Sequence, residues 1–74
     1  MKGKQVRRAF GVKLRVVRTA KGLSQEELAE LAGCSTEYIS RMERGLCSPS
    51  FDMIATLSEA LMIKLREFFD FESS

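Results

Sequence analysis

Residues 24–45, SQEELAELAGCSTEYISRMERG, hold two helix-forming segments separated by one glycine, and each carries its own start and stop signals. Ser24, with Glu27 three residues later, forms a capping box, and Leu23 and Leu28 occupy the staple positions around it. Gly33 ends this segment with a left-handed residue. Ser35 caps the next one, with Cys34 and Ile39 in staple positions, and Gly45 stops it. Both segments are shorter than the roughly 12–15 residues at which an isolated helix becomes even marginal in water. They must therefore be held by packing on other elements. The second offers a core only Ile39 and Met42 at helical spacing. Thr36, Glu37, Ser40, Arg41 and Arg44 lie on its other faces, and a core gives that broad polar surface nothing to do.

The flanking chain supplies the support. Val6, Phe10, Leu14 and Val17 are spaced by four, four and three, a single apolar stripe on a first helix. Lys21 and Gly22 close it with a cation in the last turn and a left-handed glycine. Gly11 weakens this helix by about 1 kcal/mol relative to alanine. In the second segment Leu28, Leu31 and Ala32 are expected to face inward, with Ala29 allowing close approach to the third. After a loop over 45–50 containing Pro49, Ser50 caps a fourth helix whose inward set reads Phe51, Ile54, Leu57, Ser58 and Leu61. A short fifth segment runs from Leu65 to Phe69. Alternation never persists long enough for a strand. The reading is all-α: a compact five-helix arrangement in one domain over 1–74, with its core over about 6–70. A domain this short buries only about 60% of its unfolded surface, so its stability margin is thin.

Charge is unevenly placed. Residues 1–23 carry eight cations and no acid, whereas residues 24–74 carry four basic and ten acidic groups. This asymmetry has two readings, a polyanion held on one face or a solvated helix surface. With no histidine and only Cys34 and Cys47, a four-ligand zinc site within the chain is excluded, and no cofactor is indicated. Cys34 reads as a small apolar residue and Cys47 as a loop thiol. The absence of a nucleophile paired with a base, and of clustered carboxylates, argues against an enzyme. The longest candidate apolar run, Ala60–Ile63, is four residues, far short of a membrane span, and the basic N-terminus lacks a signal peptide's apolar stretch. A cytoplasmic protein is expected.

The stretch LRVVRTAKGLSQEELAELAGCSTEYISRMERGLCSPSFDMIATLSEAL resembles the Xre-type helix-turn-helix domain of phage repressors, Cro proteins and restriction–modification controller proteins. The likeness covers about residues 10–69. Arg18, GLSQEELA, Gly33, Ile39, ERG, PS and the AL before the last helix coincide at fixed spacing, which a generic helical bundle has no reason to hold together. The resemblance implies a lambda repressor-like DNA-binding fold whose second and third helices form the motif. The third then enters the major groove of double-stranded DNA.

Carried over residue by residue, the resemblance places base contacts on Thr36, Glu37, Ser40 and Arg41. Arg41 suits the O6 and N7 of guanine, and Glu37 the N4 of cytosine. A surface pair between Glu37 and Arg41, four residues apart, is the competing reading. Backbone contacts are expected from Lys13, Arg18, Ser24, Gln25, Tyr38, Arg44, Ser48 and Ser50, with the amide of Phe51. The basic N-terminal arm reads either as a further backbone tracker or as a solvated tail. Arg18 and Glu43 are expected to pair across the first and third helices, orienting the recognition helix. Met62 stands where the fourth helix usually ends in glycine, and Lys64 where serine or threonine often starts the fifth. Thr36 stands where controller proteins often carry arginine, which counts against that branch. The apolar C-terminal set Ile63, Leu65, Phe68, Phe69 and Phe71, beside Met62, exceeds what one small core can bury and predicts a symmetric homodimer. The implied function is sequence-specific DNA binding by a transcriptional regulator, most simply a repressor on a palindromic operator. An antitoxin-like interaction module and a controller protein are the alternatives.

Overall fold

The structure, a computed structural model, describes residues 2–70. Four α-helices follow in order: α1 (Gly3–Ala20), α2 (Gln25–Ala32), α3 (Thr36–Glu43) and α4 (Phe51–Leu61). The expected fifth helix is a five-residue 3-10 turn, Leu65–Phe69. Its tight register shows in the Glu67 N–H donating to the Lys64 carbonyl at 2.9 Å. Lys64, without a capping hydroxyl, has its own N–H satisfied by Glu67 Oε2 at 2.7 Å. The described residues contain no strand.

The punctuation acts as the sequence implies. Glu27 N–H donates to Ser24 Oγ at 3.0 Å and Ser24 N–H to Glu27 Oε1 at 2.8 Å, closing the capping box. Ser35 accepts from Tyr38 N–H and Ser50 from Met53 N–H, at 3.1 and 3.0 Å. Gly22, Gly33 and Gly45 all have positive φ. Met62 does too, at +56°, so a methionine occupies the left-handed stop where the family usually has glycine.

One core joins all the elements: Phe10 and Leu14 from α1, Leu28, Ala29 and Ala32 from α2, Ile39 and Met42 from α3, Ile54, Leu57 and Leu61 from α4, and Phe68 from the turn. Val17, Leu23, Cys34, Tyr38, Cys47 and Ile63 pack against it from its edge. Phe68 is fully buried, with its ring centroid 5.1 Å from that of Phe10.

Two inward expectations fail. Leu31 is exposed, because the buried arc of α2 is centred on Ala29 and Ala32 and leaves Leu31 beyond its edge. Leu31 borders a shallow groove with Leu23, Ala60 and Met62 instead. Phe51 is 88% exposed. It lies on the side of α4 that carries Ile54, but as the first helical residue it projects past the packed neighbours. The basic N-terminal stretch is also not an arm from Gly3 onward. Lys2 caps α1, its N–H donating to Gln5 Oε1 at 2.8 Å, and the cations that follow ride on a regular helix.

Candidate nucleic-acid interface

α3 is anchored from behind. Ile39 and Met42 are fully buried, while Thr36, Glu37, Arg41 and Arg44 are exposed and Ser40 is half-buried. At 100° per residue, positions 36, 37, 40, 41 and 44 share one side of the helix, the side opposite the core. Four of the base-contact candidates are thus brought onto one outward face. The competing surface pair is absent: among the described residues Arg18–Glu43 is the only ion pair, so neither Glu37 nor Arg41 is engaged by the other. Arg41 is left with its full set of donors, a planar fork suited to two acceptors on one base edge.

The end of α3 is locked by a buried carboxylate. Arg18 Nε donates to Glu43 Oε2 at 2.5 Å and Nη2 to Glu43 Oε1 at 3.1 Å, both within the core. Arg18 Nη1 donates to the Leu23 carbonyl at 2.7 Å, and Gln25 Nε2 donates to Glu43 Oε1 at 3.0 Å. Glu43 therefore joins α1, the α1–α2 turn, the first residue of α2 and the end of α3. Its hydrogen bond holds the Arg18 guanidinium above its ordinary pKa, overcoming the opposing effect of burial.

This arrangement corrects one expectation. Arg18 is the structural partner of Glu43, as anticipated, but for the same reason it does not serve as a DNA backbone contact: its donors are spent inside the fold. Gln25 is half-buried and oriented by Glu43, a long-range contact that local sequence carries no signal for. Lys13 and Tyr38 are half-buried, and Ser48 is exposed in the loop before α4. Burial pushes the Tyr38 hydroxyl pKa up, with smaller contributions from Cys47 and Cys34, and all three side chains pack against the edge of the core. The Ser24 and Ser50 hydroxyls already accept from their own helices, so these residues would meet phosphate through the helix N-termini they cap. Arg44 Nε donates to the Ser40 carbonyl at 3.3 Å, which steadies its stem along α3.

Close backbone approach sets the depth of α3. A Cβ on Gly11 of α1 would lie 2.6 Å from the Glu43 carbonyl oxygen and closer still to that of Met42. Gly11 is thus required by contact between two helices, a role that helix propensity alone had presented as a weakness.

Of the expected dimer residues, Phe68 is removed by its burial in the subunit core. Ile63 packs partly against that core, Leu65 and Phe69 are exposed, and Phe71 lies outside the described residues.

The helix-turn-helix domain family matches residues 9–67 of this chain. The chain is 39% identical over 67 residues to Control protein C.BamHI of Bacillus amyloliquefaciens, covering 89% of this chain and 83% of that protein. It is 38% identical over 61 residues to the HTH-type transcriptional regulator SlrR of Bacillus subtilis (strain 168), across 81% of this chain and 40% of that protein. Among solved structures, the restriction-modification controller protein C.AhdI from Aeromonas hydrophila matches with a TM-score of 0.84 and 48% identity, over 85% of this chain and 96% of that one. The clp gene regulator ClgR from C. glutamicum matches with a TM-score of 0.83 and 34% identity, over 86% and 83%. Two of these relatives are controller proteins. The chain belongs to the helix-turn-helix domain family, whose members named here are transcription regulators and controller proteins.

Proposed function

We propose that this chain is a sequence-specific transcriptional regulator that occupies a two-fold symmetric operator as a homodimer and represses from it. In this reading α3 lies in the major groove, with Thr36, Glu37, Ser40 and Arg41 against base edges. The observation that carries it is the division of α3 into a fully buried side, Ile39 and Met42, and an outward side whose Glu37 and Arg41 have no partner in the subunit. Phosphates are met by Gln25, Arg44, Lys13, Tyr38 and the N-termini of α2 and α4 near Ser24, Ser48 and Ser50. Ile63, Leu65 and Phe69 form the two-fold contact that places the partner's recognition helix about 34 Å away, one turn of DNA. The likeness to C.BamHI and C.AhdI favours a restriction–modification controller over an antitoxin-like module. The protein acts by occupying DNA, in the cytoplasm and without catalysis; no helix of the described residues is long and apolar enough to cross a membrane.

Selection of binding sites from random duplexes tests this. It is expected to return a palindrome whose affinity falls steeply as salt rises. Arg41→Ala is expected to relax preference at one base pair in each half-site, at a cost of about 1–3 kcal/mol. Equal weakening on every sequence would instead assign Arg41 to phosphate and remove it from base reading.

A further inference from the structure

We infer that Arg8 is a DNA phosphate contact, carried to the C-terminal end of the recognition helix by the first turns of α1. This rests on the reading of α3 as the groove helix. Gly45, the left-handed residue just beyond α3, is buried, and a Cβ there would lie 2.9 Å from Arg8 Cγ and 3.0 Å from Arg8 Cα. Arg8 thus lies with its backbone and the root of its side chain directly on the Gly45 backbone. Three residues along α1, Gly11 makes the matching approach to the carbonyls of Met42 and Glu43. One glycine from each partner brings the two backbones together, so the base of the Arg8 side chain is fixed relative to α3.

The charged end of Arg8 has no assigned task in the subunit. The residue is exposed, and among the described residues its side chain has no hydrogen bond and no ion pair. A second exposed arginine adjoins Gly45. Arg44 immediately precedes Gly45, and the Arg41 carbonyl accepts from Leu46 N–H at 2.9 Å as the chain turns there. Glu43, the nearby acid in sequence, is buried and committed to Arg18 and Gln25. Arg8 and Arg44 thus flank Gly45, where the adjacent acid Glu43 is already engaged, while the unpaired Glu37 lies two turns back along α3. The partial negative charge of the α3 C-terminus offsets about half of one positive charge, far less than two. A phosphate is the anion that these two arginines lack, and a stem held in place by Gly45 loses little freedom on meeting one.

The test compares four proteins, wild type, Arg8→Gln, Arg8→Lys and Lys21→Gln, by fluorescence anisotropy on the selected duplex and on a random-sequence duplex from about 50 to about 200 mM salt. Lys21→Gln removes the same charge from the other end of α1 and sets the effect of net charge alone. Arg8→Gln is expected to reduce the slope of log affinity against log salt by about 0.9 per bound subunit. At about 0.1 M salt this corresponds to roughly eightfold per subunit, alike on both duplexes, with the melting temperature unchanged. Arg8→Lys is expected to restore most of the slope. Overlap of Arg8→Gln with Lys21→Gln overturns the assignment while wild-type selectivity leaves the regulator reading standing. A lowered melting temperature that Arg8→Lys does not repair, with the slope intact, also overturns it and makes Arg8 a packing residue. Failure of the wild type to bind either duplex removes the regulator reading and Arg8 with it.

Discussion

Gly11 pits two local effects against each other. Alanine there gains about 1 kcal/mol of helix propensity. Its Cβ, however, would meet two backbone carbonyls of α3 that cannot step aside as a side chain could. Overpacking of this kind costs about 1–3 kcal/mol, so Gly11→Ala is expected to lower the melting temperature, by roughly 4–8 °C for each kcal/mol lost. A rise on thermal denaturation would mean that α1 tilts freely over α3. Met62 offers the opposite case. It holds a left-handed backbone that costs a side chain about 1–2 kcal/mol, and at 85% exposed it recovers little of that inside the subunit. Met62→Gly is expected to stabilise dilute protein by about 0.5–1 kcal/mol, the strain relieved less the entropy that glycine adds to the unfolded chain. Cys34 titrates in a third way. Burial pushes its thiol above the ordinary value of 9.0, because the thiolate is the form that suffers from lost solvation. Folding thus favours the neutral thiol. That contribution is complete below the unfolded pKa and is lost as pH rises through the raised folded value. Alkylation at pH 8 is expected to be slower in the folded protein than after unfolding, and equal rates would contradict the burial.

At the scale of the elements, Glu43 matters most, because three helices meet on one carboxylate. Removing it leaves the Arg18 guanidinium buried without its partner, a defect that costs about 3–5 kcal/mol. That is a large share of the roughly 4–11 kcal/mol expected of a chain this long. Glu43→Ala is expected to lose both thermal stability and DNA binding, and an unchanged melting curve would defeat this role. The same scale explains how much of the fold could be read in advance. The Ser24, Ser35 and Ser50 caps and the glycine stops were legible because each depends on residues at most four apart. The outward side of α3 was legible because only two of its eight residues are apolar at helical spacing. Leu31 and Phe51 were misplaced because periodicity finds a helix side without saying where the neighbouring helix ends. The bond from Gln25 to Glu43 and the packing of Arg8 on Gly45 join residues far apart in sequence, and no local pattern announces them. Phe68 and Phe69 are adjacent, identical in type and both beside Phe10; only the turn that follows α4 decides which one is buried.

The whole molecule separates its tasks by surface. Apolar groups left outside the core gather partly at the C-terminal turn, where Leu65 and Phe69 are exposed. On the dimer reading, Leu65→Lys is expected to yield monomers in sedimentation at micromolar concentration while the subunit keeps its helical content, and operator affinity is expected to fall with it. A dimer that persists would move the two-fold contact elsewhere. Phe68→Ala is expected to act differently, costing about 3–5 kcal/mol and unfolding much of the population, because its ring fills the centre of the fold. The joint at Glu43 has one more implication. Since α3 is fastened through its hidden side and its far end, Thr36, Glu37, Ser40 and Arg41 can be exchanged without disturbing the fastening. A relative built on the same arginine–glutamate–glutamine clasp could then lend its four outer side chains to this scaffold, and the hybrid would adopt the donor's taste in DNA while melting like the recipient.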